Sequence, residues 1–282
     1  MLPPRSLVRT AAVGLVLSLG AVPAVADAST RASAKRHAKR VQARTAADDS
    51  CFSQHTWGTA GAITQACVAR DGNLASLLTQ SSNQLGDDGG EGYVLCEGTA
   101  MRAWEAGTYG EGGLGPATVS QPNGAGTLPL LIVRTTSDKV ARISQRYALD
   151  PAGRSITITM TVKNLTAQDR TFGVIRSADV DTDGKGSDDV LALTPDSAIM
   201  LGNATAAVSL TSPSATSGNW AHAPVAQGFS TWNATGKSSC ALPAAPATLP
   251  TGVGDWVLRV RSTMGETTGF ASRTQSFRYG VM

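Results

Sequence analysis

Five aspartates fall within eleven residues, at Asp179, Asp181, Asp183, Asp188 and Asp189, with Gly184 and Gly186 between them. Carboxylates this crowded repel one another unless a divalent cation or solvent relieves them. Asp179, Asp181, Asp183 and Gly184 match the first half of a calcium loop, in which alternate carboxylates turn inward and glycine permits the sharp bend. A helix-loop-helix calcium hand would also need a bidentate Glu at its twelfth position, which is Val190 here, and the flanks read as strand. The spacing therefore predicts a calcium loop between strands, with Asp188 or Asp189 closing the shell. Magnesium fits less well, because it keeps its waters and tolerates irregular cages poorly. A hydrated Asx-rich turn is the alternative, since Asp and Gly also suit plain turns.

Other chemistries find less support. There is no Gly-x-Ser-x-Gly elbow for a serine nucleophile. His55 beside Trp57 and His222 after Trp220 are the imidazoles that could act as bases, but a lone His next to a Trp is ordinarily a packed or surface residue. Glycoside hydrolysis needs two carboxylates across a cleft, and Glu91, Glu97, Glu105, Glu111 and Asp179 have no spacing that singles out a pair. Gly110-Glu111-Gly112-Gly113 lacks the strand before it and the helix after it that a phosphate loop requires.

The acidic loop has to be held by strands. Ile156, Ile158, Met160 and Val162 alternate with Thr157, Thr159, Thr161 and Lys163, the pattern of a half-buried antiparallel strand. After the polar turn 164–170 comes the apolar run Phe172-Gly173-Val174-Ile175, so a β-hairpin is expected to deliver the loop to one end of a sheet. Further strand signals are Ala66–Arg70 and Leu74–Leu78 around the turn Asp71-Gly72-Asn73, Tyr93–Cys96, Leu128–Val133, Val140–Leu149, Ala198–Leu201, Ala207–Leu210, Trp256–Arg261 and Gln275–Met282. The Gly-rich stretch 106–126 reads as a long irregular surface excursion. Apolar spacings of three and four are rare, and Thr, Ser, Val and Gly dominate. The expectation is all-β: one large antiparallel β-sandwich domain over 51–282, with a disordered basic N-terminal arm.

The N-terminus reads as an export signal. Arg5 and Arg9 precede a short apolar run, Ala11–Val22, and small-x-small sites at 24–26 and 26–28 follow, so cleavage is expected after Ala26 or Ala28. The run is well short of the roughly 20 residues a membrane span requires. Residues 29–50 crowd Arg31, Lys35, Arg36, Lys39, Arg40 and Arg44 among Ala, Ser and Gln, a linker that cannot bury enough apolar surface to order itself. Residues 51–282 carry sixteen Lys plus Arg against eighteen Asp plus Glu, so the basic character belongs to the arm and no nucleic-acid partner is implied. The arm could meet anionic cell-wall polymer, lipid headgroups or an acidic partner.

Four cysteines, Cys51, Cys67, Cys96 and Cys240, lie beyond the signal, and an even number in an exported chain favours two disulfides. Three connectivities are possible; the preferred one joins Cys51 to Cys67 and Cys96 to Cys240. Zinc is disfavoured because no Cys-x-x-Cys pair is present. Trp220 and Trp232, in a Ser/Gly/Asn-rich stretch, could present indoles outward as a stacking platform for sugar rings.

The succession Gly72–Leu78, Glu91–Cys96, Ile156–Asn164, Arg176–Gly184 and Phe277–Met282 resembles that of secreted bacterial proteins of the large β-sandwich type, broadly the galactose-mutarotase-like supersandwich. That likeness spans about residues 60–282 and implies a fold more than an activity. The catalytic His and Glu of mutarotases find no match in this chain. The expected function is a secreted, non-enzymatic binding or interaction protein of unknown ligand, with a structural calcium and a possible extracellular glycan or cell-wall polymer as partner. A carbohydrate-active enzyme or sugar-binding protein, its site among the end loops, is the alternative.

Overall fold

The computed structural model describes residues 51–57, 63–80, 82–86, 90–106, 112–182, 189–194, 197–201, 207–212, 222–228, 240 and 253–281. All of them belong to one compact unit, Ala43–Met282. The expected signal peptide (1–28) and basic linker (29–50) lie outside the described residues, as do Asp183, Asp188, Trp220 and Trp232.

Among the described residues every regular element is a strand, in three antiparallel sheets. A small sheet joins β1 (Ser53–Thr56), β2 (Gln65–Val68) and β3 (Leu74–Leu78). A second sheet contains β4 (Glu91–Glu97), β5 (Ala100–Ala106), β10 (Arg170–Asp179), β14 (His222–Gly228) and β16 (Trp256–Thr267), in the order β14-β16-β10-β4-β5. The third has nine strands. They are β6 (Thr118–Ser120), β7 (Leu130–Thr135), β8 (Ala141–Leu149), β9 (Ser155–Asn164), β11 (Asp189–Thr194), β12 (Ser197–Leu201), β13 (Ala207–Thr211), β15 (Val253–Gly254) and β17 (Ser272–Val281). Their order is β15-β11-β12-β13-β17-β9-β8-β7-β6. Short β6 pairs with β7 inside the stretch expected to be irregular, because Thr118, Val119 and Ser120 meet Val133, Ile132 and Leu131 in register.

β9 is the half-buried strand its alternation predicts: Ile156, Ile158, Met160 and Val162 are buried, and the threonines between them face outward. The hairpin expected to follow it does not form. β9 pairs with β8 and β17, whereas β10 crosses to the other sheet and pairs with β4 and β16. The reason lies in β10 itself. From Phe172 to Asp179 every residue is buried, the signature of a central strand covered on both faces. Such a strand needs two partners with buried faces of their own. Tyr93, Val94 and Leu95 of β4 and Val257, Leu258 and Val260 of β16 supply them.

The main core lies between the two large sheets, where Tyr93, Leu95, Val174, Leu258 and Val260 meet Ile158, Met160, Val162, Phe277 and Tyr279. The small sheet adds Ala66, Val68, Leu74 and Leu77. On the other face of the five-stranded sheet, Val94, Cys96, Ile175 and Val257 form a second cluster with Cys240. Both preferred disulfides are present. Cys51–Cys67 clips the start of the small sheet, and Cys96–Cys240 brings residues 144 apart in sequence to a Cα separation of 5.8 Å.

Candidate functional site

The acidic cluster forms at the end of β10, and the structure changes its membership. Asp179 is the last residue of β10, and Asp181 follows after Val180, which bridges to Leu85. Alternation in an extended chain turns these two carboxylates the same way. The third comes from far along the chain: Asp255 stands between β15 and β16, and β16 lies beside β10. One carboxylate oxygen from each of Asp179, Asp181 and Asp255 lies within 4.8 Å of the others. Asp179 is buried, Asp181 half-buried and Asp255 exposed, so the cluster opens to solvent from a closed base.

The loop before β4 packs directly on these carboxylates. Gly86 N–H donates to the Asp179 carbonyl at 2.9 Å, Asp181 N–H donates to the Gln84 carbonyl at 3.3 Å, and Asp179 N–H donates to the Gly90 carbonyl at 3.0 Å. A side chain at position 86 would meet Asp179 Oδ2 at 2.6 Å and Asp181 Oδ2 at 3.0 Å, so only glycine leaves the carboxylates room. On the same face of the sheet, burial pushes the Arg259 guanidinium down to about 10, with its Nε donating to Ser177 Oγ at 3.2 Å. Three carboxylates are a hard, all-oxygen donor set that could hold a metal ion.

Of the other residues expected in this shell, Asp183 of the first half and Asp188, one of the two expected to close it, are outside the described residues. Asp189 opens β11, with its backbone opposite Gly254 and hence next to Asp255. Asp255 was not legible from the spacing of the acidic loop. Its only signal is its place in Gly252-Val253-Gly254-Asp255, a turn immediately before a strand. Its contribution depends on β16 pairing with β10.

A second polar assembly lies in the main core. Glu91 and Arg176 both have fully buried side chains. Arg176 Nε donates to Glu91 Oε1 at 2.5 Å and Nη2 donates to Oε2 at 2.6 Å, a forked pair. Tyr279 Oη donates to Oε1 at 2.7 Å and Leu74 N–H to Oε2 at 2.8 Å. Arg176 Nη1 also donates to Gln145 Oε1 at 2.8 Å, while Nη2 and Tyr147 Oη both reach the Gly72 carbonyl, at 3.3 and 2.5 Å.

Burial lifts the Glu91 carboxyl above its ordinary range against the pull of Arg176, Leu74 N–H and Tyr279, whereas the Glu91 carboxylate overcomes the effect of burial on Arg176 and holds that guanidinium charged. These influences oppose each other, and the geometry decides between them. Donors from three residues already point at the two carboxylate oxygens, so a carboxylic proton would find no acceptor, and the pair is ionic. Burial also holds both Tyr147 and Tyr279 well above the ordinary phenol range. This assembly is sealed from solvent and anchors the β2–β3 turn to both large sheets. Gly72 sits in that turn at φ +94°, and a Cβ there would lie 2.1 Å from Gln145 Nε2.

The other sequence candidates separate. His55 is buried, its Nε2 2.9 Å from Ser53 Oγ and its ring stacked 6.2 Å from that of Trp57. Burial lowers its pKa below 6.5, against a backbone hydrogen bond with Gly126. The folded state therefore binds its proton less readily than the unfolded chain does. Stability from this residue is complete above about pH 6.5 and declines as the pH falls below it. The unfolding midpoint should accordingly fall between about pH 7 and pH 5 by less in His55→Gln than in the parent; equal slopes would remove His55 as a cause. Glu97 pairs with Arg102 and Arg170. The side chains of His222 and Glu105, and all of Glu111, are outside the description.

The fold and site together define an all-β sandwich with a carboxylate cluster at one end of its smaller large sheet. Among solved structures the chain is similar to a bacterial glucoamylase complexed with acarbose, at TM-score 0.57 and 10% identity over 83% of this chain and 32% of that one. It is also similar to the heparan sulfate lyase HepC from Pedobacter heparinus, at TM-score 0.43 and 6% identity over 82% of this chain and 36% of that one. The chain thus spans about a third of the length of each, and the first likeness is one of fold. No family model matches the chain, and no curated protein matches it in sequence.

Proposed function

We propose that the protein is exported, cut after Ala26 or Ala28, and acts outside the cell as a non-catalytic β-sandwich that binds glycan, with a structural calcium held by Asp179, Asp181 and Asp255. The observation that carries the reading is the convergence of those three carboxylates within 4.8 Å, at adjoining ends of two strands that pair in the five-stranded sheet. Calcium suits the set because it accepts six to eight oxygens in irregular arrangements, and backbone carbonyls, water or Asp189 can complete the shell. Two disulfides fit an oxidising compartment, and no described helix is long and apolar enough to cross a membrane.

Glycan binding is supported by the fold likeness to the glucoamylase, whose structure holds acarbose. Glu91 and Arg176 are fully buried, which places this pair out of reach of a bound glycan. Trp220 and Trp232 remain proposed stacking residues.

Calcium should raise the unfolding midpoint of the full chain relative to chelator, because a ligand bound only to the native state stabilises it. Asp255→Asn should lose most of that increment. Equal midpoints with calcium and with chelator would remove the metal. A broad glycan array tests the binding, and release of reducing sugar from a bound glycan would move the assignment to the alternative, a carbohydrate-active enzyme.

A further inference from the structure

Strands β6, β7, β8, β9 and β17 form one continuous half of the nine-stranded sheet, and not one of them carries an Asp or a Glu. Their inner side chains build the core. On the outer face Arg142, Arg146, Lys163 and Arg278 stand among Thr and Ser, and none of the four forms an ion pair with a described residue. Arg142 and Lys163 are directly opposite on neighbouring strands, an arrangement that costs stability when nothing negative lies between the two charges.

Carboxylates at the strand ends are engaged elsewhere. Asp138 pairs with Arg102, Asp150 accepts the Ala152 N–H within its own turn, and Asp169 accepts the Gly269 N–H. The hydroxyls between the cations form cross-strand rungs, Thr159 to Ser276 at 3.1 Å and Thr161 to Thr274 at 2.8 Å. A hydroxyl in such a rung still has acceptor capacity directed outward.

We infer that this face is a docking surface for an anionic polysaccharide, carboxylated or sulfated, lying across the strands. The inference rests on the glycan-binding reading above and names the chemical class and the surface. Charge complementarity is the argument: four cations with no ion pair among the described residues, neighbours about 5 to 14 Å apart on a pleated sheet, match acidic groups repeated along a chain. The hydroxyl rungs exchange hydrogen bonds with sugar hydroxyls. Nucleic acid fits less well, because the outer rows of these five strands present no aromatic ring for a base to stack on and a broad sheet enters neither groove. A lipid surface fits less well, because the apolar side chains on this face are essentially Leu131 and Val133, too few for interfacial insertion.

The test uses the full chain and two variants that each remove four charges. One carries Arg142→Gln, Arg146→Gln, Lys163→Gln and Arg278→Gln; the other carries Arg31→Gln, Lys35→Gln, Arg36→Gln and Lys39→Gln in the basic arm. Polygalacturonate and heparin are the anionic probes, dextran and mixed-linkage β-glucan the neutral ones, with duplex DNA and phosphatidylglycerol vesicles as competing polyanions. The parent should bind an anionic polysaccharide with an affinity that falls steeply with salt. The sheet variant should lose roughly tenfold or more at an unfolding midpoint no lower than the parent's, and the arm variant much less.

A sheet variant that binds like the parent, or an arm variant that loses as much, would overturn the inference, as would tighter binding to DNA or vesicles than to either polysaccharide. Binding to the neutral probes alone would overturn it while leaving the glycan-binding reading intact. Binding to no glycan would remove both.

Discussion

Replacing Arg176 by Met should lower the unfolding midpoint by on the order of 10 °C. Removing one member of a fully buried ion pair costs about 3 to 5 kcal/mol, because the other charge stays in the interior unpaired, and in a domain of this size each kcal/mol moves the midpoint by roughly 2 to 4 °C. Three elements lose a partner at once: Glu91 of β4, Gln145 of β8 and the Gly72 carbonyl of the β2–β3 turn. The double variant Glu91→Gln with Arg176→Met should recover much of the loss. A neutral amide places its oxygen to accept the Leu74 N–H and its NH2 to donate to Tyr279 Oη, and leaves no buried charge. Thermal melts of the three proteins check this. An Arg176→Met protein melting within about 2 °C of the parent would mean that water reaches Glu91 and that the pair does not anchor the turn.

Removing the Cys96–Cys240 bridge, with both residues changed to Ala, should cost more than removing Cys51–Cys67 the same way. The chain-entropy relation gives about 5 kcal/mol for closing a loop of 144 residues and about 3 kcal/mol for one of 16. Packing widens the difference. Cys240 is 2% exposed and sits with Val94, Ile175 and Val257 on the outer face of the five-stranded sheet, and its carbonyl accepts from Arg261 Nη1 at 3.1 Å. The bridge therefore also holds Cys240 against the apolar outer side of β10. Denaturant unfolding of the two double variants distinguishes the cases. A larger loss on removing the local clip would contradict the account.

The strands were legible wherever one side of a sheet faces solvent, because burial then writes itself as alternation. Residues 155–164 and 141–149 are the clear instances. Where both faces are covered the pattern disappears, so Arg170–Asp179 showed only its apolar centre and its partner was misread as the preceding strand. Arg176 and Glu91 were opaque for a related reason. A charged residue in a run such as Ile175-Arg176-Ser177 looks like a surface position unless its counter-ion, 85 residues away, is known to pair with the next strand. The cluster was half legible: Asp179 and Asp181 follow from local spacing, whereas Asp255 follows only from which strands lie side by side. The polar outer face of the large sheet could be read strand by strand, but its uniform sign emerges only once five strands separated in the chain are set in order.

The place of β17 bears on how the chain comes to be folded. It lies in the middle of the nine-stranded sheet, between β13 and β9, and its Tyr279 donates to a carboxylate 188 residues earlier. Until residues 272–281 have been synthesised, the two halves of that sheet remain separate pieces with unpaired margins, and Glu91 lacks one of its donors. Assembly must then wait on contacts between distant parts of the chain, which is slow compared with local pairing. A polypeptide that matures late in this way stays an open, threadable chain for longer than one built from local pairings.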